Sequence, residues 1–193
     1  MIRKINKDDD LLKVAELIYD TDERLFYFLF GKREEAILKL AELVKREGNP
    51  FSYRNVYGYF DGKEIKGILI AYDLEKRCTK GKIKDFFEVF SFFKLVDLFV
   101  KNILINNIIN LKGLKGIYIQ NISVDKKSRG KGIGTKLLEY FIKETEKKGY
   151  RGIYLDVEKN NRAKNLYLRK GFKIIKEKKA LMGKFKIYRM KKE

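Results

Sequence analysis

The sequence predicts an α+β protein in which a mixed central sheet is flanked by helices. Short runs rich in β-branched and aromatic residues, typical of strands, recur along the chain and are bounded by turn residues. Between several of these runs lie segments whose apolar residues recur at helical spacing. The 193 residues, of which 45% are hydrophobic and 37% charged, are enough for one domain over 1–193 with a substantial core.

The N-terminal third is predicted to form one strand and two helices. Residues 2–5 form a short first strand, and the run 8–10 of three aspartates caps the helix that follows. The segment 21–30 is rich in aromatic residues and is interpreted either as core or as one wall of a binding groove. A second helix covers 33–46 and stops at the Gly-Asn-Pro sequence of 48–50.

Two further strands are predicted at 53–60 and 64–72, joined by Asp61-Gly62, a strong hairpin signal. The segment 74–113 then separates the third strand from the fourth, and we interpret it as a helical insertion. Its part 83–109 contains no Gly or Pro and is predicted to form one or two helices with a wide apolar arc. Charged residues interrupt that arc, which argues against a transmembrane segment. We expect the insertion to join two copies in a homodimer or to cover the functional site; packing on its own domain and contact with a membrane surface are the alternatives.

The stretch 116–150 is the most informative part of the chain. It predicts a strand at 117–124, a polar turn at 125–128, and then a helix that opens with Arg-Gly-Lys-Gly-Ile-Gly at 129–134 and ends at Gly149, a left-handed C-cap. A glycine-rich turn at a helix N-terminus suits phosphate, because the first helical amides lack internal partners and carry the positive end of the dipole. The glycine spacing matches neither the dinucleotide-binding fingerprint nor the P-loop.

The C-terminal part continues the sheet. In the predicted strand 153–157, alternate residues point inward and leave Tyr154, Asp156 and Glu158 on the opposite face. A short helix at 161–170 follows, within the sequence NNRAKNLYLRKGF of 160–172. Residues 172–178 and 185–190 are predicted to close the sheet as a strand pair.

Together these two patterns resemble the GNAT N-acetyltransferases. The glycine turn is similar to the family's Gln/Arg-x-x-Gly-x-Gly/Ala motif, and 160–172 is similar to its N-x-x-A-x-x-L-Y-x-x-x-G-F motif. The resemblance covers 116–173, which we expect to be the acetyl-CoA-binding core of a GNAT fold. It implies transfer of an acetyl group from acetyl-CoA to a primary amine, on a protein N-terminus, a lysine or a small molecule. The alternative is a non-catalytic CoA-binding module of the same fold, with a regulatory or interaction role.

The resemblance also implies where acetyl-CoA binds. The pantetheine arm is expected along the strand backbone of Ile122, Ser123 and Val124. Asn160 matches the asparagine that hydrogen-bonds this arm. Alternatively, Asn160 caps the next helix, and Asn161 is the second candidate for the contact with the arm. The pyrophosphate is expected at the turn and the first helical residues, which are Arg129, Gly130, Lys131, Gly132, Ile133, Gly134 and Thr135.

Three residues are candidates for proton transfer. Tyr167 occupies the family's general-acid position, and a phenol suits proton donation to a departing thiolate; the alternative is a tyrosine that only packs on the core. Asp156 falls where related enzymes carry a glutamate base, and Glu158 on the same strand face is the alternative base. Both carboxylates could also be surface groups without a role in the reaction.

Composition and charge limit the chemistry and the partners. The chain has no histidine and one cysteine, Cys78, so no zinc site, His-based catalysis or internal disulfide is expected, and we expect a cytoplasmic protein. No signal peptide is apparent in the polar N-terminus. The net charge of +19, with ten basic residues against two glutamates in 170–193, predicts nonspecific attraction to an acidic partner such as RNA or the ribosome.

Overall fold

The computed structural model describes residues 1–75, 79–150, 152–180, 183 and 185–193, and Cys78 lies outside them. Within these residues seven strands form one mixed sheet: β1 (Ile2–Lys4), β2 (Val56–Asp61), β3 (Glu64–Asp73), β4 (Ile117–Val124), β5 (Ile153–Glu158), β6 (Lys173–Ala180) and β7 (Phe185–Lys192). Their order across the sheet is β1-β2-β3-β4-β5-β7-β6. β4 and β5 pair in parallel, and the other neighbours pair antiparallel.

Helices cover both faces of the sheet. They are α1 (Leu11–Tyr19), α2 (Glu23–Phe30), α3 (Arg33–Lys45), α4 (Thr79–Val89), α5 (Phe92–Ile109), α6 (Ile133–Lys147) and α7 (Ala163–Arg169). Successive side chains of β3 point to opposite faces of the sheet, so the strand contributes to the core on both faces. Ile68 and Ile70 belong to the apolar cluster that includes α1 and α3, whereas Leu69 belongs to the cluster that includes α6 and Tyr167 of α7.

Local signals in the sequence agree with the structure at several element ends. The Asp10 carboxylate accepts a hydrogen bond of 2.9 Å from the Lys13 amide and so caps α1. Gly149 has a φ of 72°, which is the left-handed conformation expected after a helix C-terminus. The predicted strand at 53–60 is wrong at its start, because Tyr53–Asn55 form a 3-10 turn before β2 begins. Ser52 caps this turn by accepting from the Arg54 amide, which directs the first residues away from the sheet.

The central parallel pair separates along its length. β4 and β5 pair from Ile117–Ile153 to Ile119–Leu155 and no further, although β4 continues to Val124 and β5 to Glu158. Against β3, Ile119 and Asn121 oppose consecutive residues, so Gln120 is an extra residue that forms a β-bulge. A bulge bends its strand, and here it lies where the pairing ends. The two strands therefore diverge and leave an open gap between them toward their carboxyl ends.

Helices α4 and α5 occupy the chain between β3 and β4, where the sequence predicts one or two helices. The inner side of α5 packs on the rest of the protein through Ile105, which is buried with Leu25 and Phe28 of α2. The C-terminal end of α5 is held by Arg189 of β7, whose guanidinium donates to the Asn110 carbonyl at 2.8 Å. None of the helices in the described ranges is both long enough and apolar enough to cross a membrane.

Candidate active site

The glycine-rich turn lies at the carboxyl end of β4 and leads into α6. Asp125 holds the chain in place where it enters this turn. The Asp125 carboxylate accepts hydrogen bonds from the Lys127 amide at 3.1 Å and from the Lys13 ammonium at 2.8 Å. Gly130 and Gly132 have φ values of 81° and 74°, a conformation that favours glycine. A Cβ built at either position meets no atom within 4 Å, so the turn borders open space. The first amides of α6 are therefore accessible to an anion, with exposed Arg129 and Lys131 beside them.

The strand edge expected to hold the pantetheine arm lies in the gap between β4 and β5. Ile122, Ser123 and Val124 all follow the last residue of β4 that pairs with β5. On their other side these residues pair with β3. The β5 side of this strand edge can therefore accept an added extended chain, as the edge of any sheet can. At its last residue the Val124 carbonyl already accepts a hydrogen bond of 3.2 Å from the Arg129 side chain. Because the edge, the glycine turn and the N-terminus of α6 are consecutive, the residues present fit an extended thiol cofactor that ends in phosphates.

Tyr167 lies on the α6 side of the sheet and is buried. Its ring contacts Phe172 edge-on, with centroids 6.0 Å apart, in the cluster that also contains Ile119 and Leu155, the last β4–β5 pair. Burial raises the pKa of its phenol to about 12, so the hydroxyl keeps its proton at neutral pH. The phenol makes no hydrogen bond to any other described residue, so its O–H group can donate to a ligand.

The two asparagines after β5 have different surroundings. The Asn161 side chain accepts a hydrogen bond of 2.9 Å from the Ala163 amide and so caps the turn into α7. Asn160 is exposed, and its amide has no partner among the residues that the structure describes. The capping role considered for Asn160 thus belongs to Asn161, and the Asn160 amide is available to a ligand.

Asp156 is held in a buried ion network rather than presented to a ligand. Its carboxylate accepts two hydrogen bonds from the Arg189 guanidinium, at 2.9 and 2.7 Å, and one from the Lys178 ammonium at 2.9 Å. The Tyr118 hydroxyl donates to the same carboxylate at 3.2 Å. The side chains of Asp156, Lys178 and Arg189 are only 10%, 4% and 6% exposed. Because two buried cations and a tyrosine hydroxyl already bind this carboxylate, the geometry favours a structural role for Asp156.

Glu158 lies farther along the same face of β5, at the open end of the gap. Its carboxylate pairs with the Arg24 guanidinium of α2 at 2.5 Å, and it stays partly exposed. Asp22 caps α2 by accepting from the Leu25 amide at 3.0 Å. Burial raises the pKa of the Asp22 carboxyl, and the nearby negative charge of Glu158 raises it further. The mouth of the gap on the α2 side therefore carries two neighbouring carboxyl groups.

Asn121 is a residue of this region that sequence reasoning missed. Its side-chain amide donates to the Thr21 hydroxyl at 2.7 Å, and Thr21 donates to the Ile18 carbonyl, which fixes the orientation of the amide. The Asn121 Oδ1 atom is buried and has no hydrogen-bond partner among the described residues. An unsatisfied buried acceptor costs about 1–3 kcal/mol, so a ligand donor or an ordered water is expected there. Two adjacent amides, Gln120 and Asn121, in an otherwise apolar strand were the available sequence signal.

A separate cleft of 160 Å³ lies at the opposite end of β4 from the glycine turn. Ile117, the first residue of β4, lines it together with Tyr57, Phe141 and Lys148. None of the candidate cofactor or catalytic residues lines this cleft, and it is distinct from the gap between β4 and β5.

Comparison with known proteins identifies similar folds and one similar domain family. Residues 98–174 match the family model described as an acetyltransferase (GNAT) domain. A solved acetyltransferase structure is 26% identical, with 100% of this chain and 98% of that chain covered, at a TM-score of 0.68. An N-acetyltransferase from Staphylococcus aureus Mu50 is 18% identical, with both chains covered completely, at a TM-score of 0.78. A chain of the NatC complex bound to a Gag peptide and CoA is 16% identical, with 99% and 96% covered, at a TM-score of 0.55.

Proposed function

The chain is a member of the GNAT acetyltransferases and has their fold, and from that premise we propose that it transfers an acetyl group from acetyl-CoA to a primary amine. The acceptor is a protein N-terminus, a lysine or a small amine. The observation that carries the proposal is the gap between β4 and β5, with the glycine turn at one end and the buried phenol of Tyr167 beside its closed end.

Acetyl-CoA supplies an activated acyl group, and the residues around the gap would hold and orient it. The amides at the start of α6, from Gly130 to Thr135, bind the pyrophosphate, with Arg129 and Lys131 adding positive charge. The edge of β4 at Ile122, Ser123 and Val124 aligns the pantetheine arm, and Asn160 hydrogen-bonds it. A backbone amide of the same edge polarises the thioester carbonyl, in the manner of an oxyanion-hole donor.

The reaction forms a C–N bond and breaks a C–S bond, so the amine loses a proton and the sulfur gains one. Tyr167 is proposed as the acid that protonates the leaving sulfur. Its pKa of about 12 keeps the phenol protonated over the physiological range. We place the sulfur on the α6 side of the gap, where Tyr167 lies, and the incoming amine on the α2 side, where Glu158 lies.

The amine loses its proton on the α2 side of the gap. Of the two carboxylates considered on β5, Glu158 is the better candidate for the base, because it lies at the mouth and one exposed arginine binds it. Asp156 is engaged by two buried cations. Glu158 would receive the amine proton directly or through a water molecule.

The same mouth favours a cationic acceptor. Asp22 and Glu158 place negative charge there, and the free Asn121 Oδ1 can accept a hydrogen bond from an ammonium or amine. Because primary amines are mostly protonated at neutral pH, the acceptor is attracted as a cation and loses two protons in all. The first goes to solvent when the ammonium becomes the amine, and the second goes to Glu158 as the C–N bond forms.

The test is the release of CoA thiol from acetyl-CoA across a panel of amines that contains spermidine, a lysine peptide, a free N-terminal peptide and an uncharged amine. We expect release with at least one cationic acceptor and a 10²–10⁴-fold lower kcat for Glu158→Gln, roughly the range for a general base. Glu42→Gln, which removes a carboxylate from a surface ion pair on α3, is the matched control. Tight acetyl-CoA binding with no thiol release to any amine would favour the non-catalytic CoA-binding module instead.

A further inference from the structure

Helix α5 carries a long apolar stripe that faces away from the rest of the protein. Phe92, Phe93 and Phe99 are 70%, 84% and 68% exposed. Phe87 of α4 is also exposed and belongs to the stripe. The stripe continues with four aliphatic side chains that are 48–60% exposed: Val96, Val100, Ile103 and Leu104. The opposite side of α5 already packs on the domain through Leu95, Leu98 and Ile105. The stripe is therefore not needed for the fold of a single copy.

The spacing within the stripe is that of a helix–helix seam. Phe92, Val96, Phe99 and Ile103 follow one another at steps of four, three and four residues, the alternation that keeps one line of side chains facing a partner helix. Phe93 and Val100, seven residues apart, widen the seam on one side. β-Branched residues alternate with larger ones along it, as in two-helix packing.

The area of the stripe corresponds to a stable interface. If a fully exposed phenylalanine presents 150–250 Å², the four phenylalanines together expose roughly 550 Å² and the whole stripe roughly 900 Å². The largest apolar patch on a typical monomer covers about 300–600 Å². Standard protein interfaces bury about 800 Å² on each partner, so one stripe against another supplies what a stable dimer needs.

Charge does not oppose this pairing, although the chain as a whole has a net charge of +19. The charged residues of α5 are Lys94, Asp97 and Lys101, and both ammonium groups bind the Asp97 carboxylate at 2.8 Å. Lys101 also lies 5.3 Å from the ring centroid of Phe28, which places it on the side of α5 toward α2. None of the charged residues of α5 belongs to the stripe.

From the spacing, the area and the uncharged seam we propose that α5 is a dimerisation helix, and that its stripe packs against the stripe of a second copy of this chain. The interface is isologous, with a two-fold axis near Val96 and Phe99, so each substitution in the seam acts twice per dimer. None of the residues of the stripe is assigned a role in the proposed reaction, so the dimer can be tested without an activity assay.

The test is sedimentation equilibrium of the full chain at about 1–100 µM, a range that spans weak to moderate interfaces. We expect the wild type to be a dimer, and Phe99→Asp to raise the dimer dissociation constant at least about 30-fold, as for a central hot spot. Phe99→Ala, which adds no charge, should raise it by less and guards against misfolding of the aspartate variant. The matched control is Leu38→Asp, at a residue of α3 that is 61% exposed outside the stripe, and it should stay dimeric.

Two results would overturn the proposal. One is a wild type that stays monomeric across this range, and the other is a dimer that survives both Phe99 substitutions as well as it survives Leu38→Asp. Vesicles that contain phosphatidylserine separate a lipid-binding stripe from a dimer interface. Binding of a monomeric wild type to them, lost in Phe99→Asp and kept in Leu38→Asp, would assign the stripe to a membrane surface and contradict the dimer.

Discussion

Replacing Asp156 with asparagine removes one charge from the ion network beneath β5 while keeping the shape of the side chain. The two cations that remain, Lys178 and Arg189, are almost fully buried, and each loses its ion pair with the Asp156 carboxylate. Removing one partner of a buried ion pair typically costs about 3–5 kcal/mol. Lys178 limits the loss by releasing its proton, because burial already lowers the pKa of its ammonium. Full neutralisation of a lysine at pH 7 costs about 4.6 kcal/mol from its ordinary pKa, which agrees with the upper part of that range.

The predicted loss is large enough to measure by thermal unfolding. For a domain of this size 1 kcal/mol corresponds to roughly 2–4 °C, so Asp156→Asn should lower the Tm by about 10 °C. The deficit should shrink between pH 7 and pH 9. Without Asp156, the folded-state pKa of Lys178 lies further below its unfolded value than it does in the wild type. The unfolded variant therefore binds more protons than the folded variant, and its stability rises with pH. At a temperature well below the Tm, kcat should stay within a few-fold of wild type.

Glu158→Gln provides the contrasting case on the same face of β5. Glu158 and Arg24 form a partly exposed pair, which contributes about 0–1 kcal/mol. This variant should keep its Tm and lose activity. If Asp156→Asn instead keeps the wild-type Tm and loses kcat by 100-fold or more, then Asp156 acts as the base and the structural role argued for it is wrong.

Further predictions concern the cofactor turn and the acid. Gly132→Asp puts a side chain at a φ of 74° and a negative charge where phosphate is expected, so acetyl-CoA should no longer raise its Tm. The control Gly134→Ala should keep that rise in Tm, because its Cβ would lie 3.6 Å from Val124, an ordinary contact. If calorimetry gives wild type and Gly132→Asp the same affinity for acetyl-CoA, the assignment of the phosphate site is wrong. Tyr167→Phe should keep acetyl-CoA affinity and lower kcat by about 10²–10⁴-fold; a kcat within twofold of wild type, with chemistry rate-limiting, would remove Tyr167 from the mechanism. The pKa of Tyr167 is about 12, and the phenol must be protonated to act as the acid. The wild-type rate should therefore rise with pH as the amine loses its proton, and deprotonation of Tyr167 should cause no decline below pH 10. A decline below pH 10 that is absent in Tyr167→Phe would contradict the buried phenol.

Much of the fold follows from local patterns in the sequence. The hairpin at Asp61-Gly62, the cap at Asp10 and the left-handed Gly149 each depend on residues within a few positions of one another. Helix α2 was not predicted as a helix, because ERLFYFLF is rich in aromatic residues of modest helix propensity. Its helical structure depends on the Asp22 cap and on burial of Phe26 and Phe30 against the core.

The site was predictable where it follows a motif and unpredictable where it depends on distant pairing. The glycine turn and Tyr167 lie in continuous patterns of sequence. Asp156 was expected on the face of β5 opposite the inward-pointing residues, as a base or a surface carboxylate. Its burial results from Lys178 and Arg189, which are 22 and 33 residues away and come near it through the order β5-β7-β6. The free Oδ1 of Asn121 likewise depends on Thr21, 100 residues earlier in the chain.

The central claim is that the gap between β4 and β5 brings an acetyl thioester and an amine together. The most direct measurement follows the carbonyl carbon of [1-¹³C]acetyl-CoA by NMR, in a single turnover with the best acceptor from the amine panel. We predict that the thioester signal is replaced by an amide signal on the acceptor nitrogen, and that Tyr167→Phe binds the thioester and slows the replacement. A thioester signal that persists in the bound state, or that converts to free acetate at the same rate with and without amine, would contradict the account.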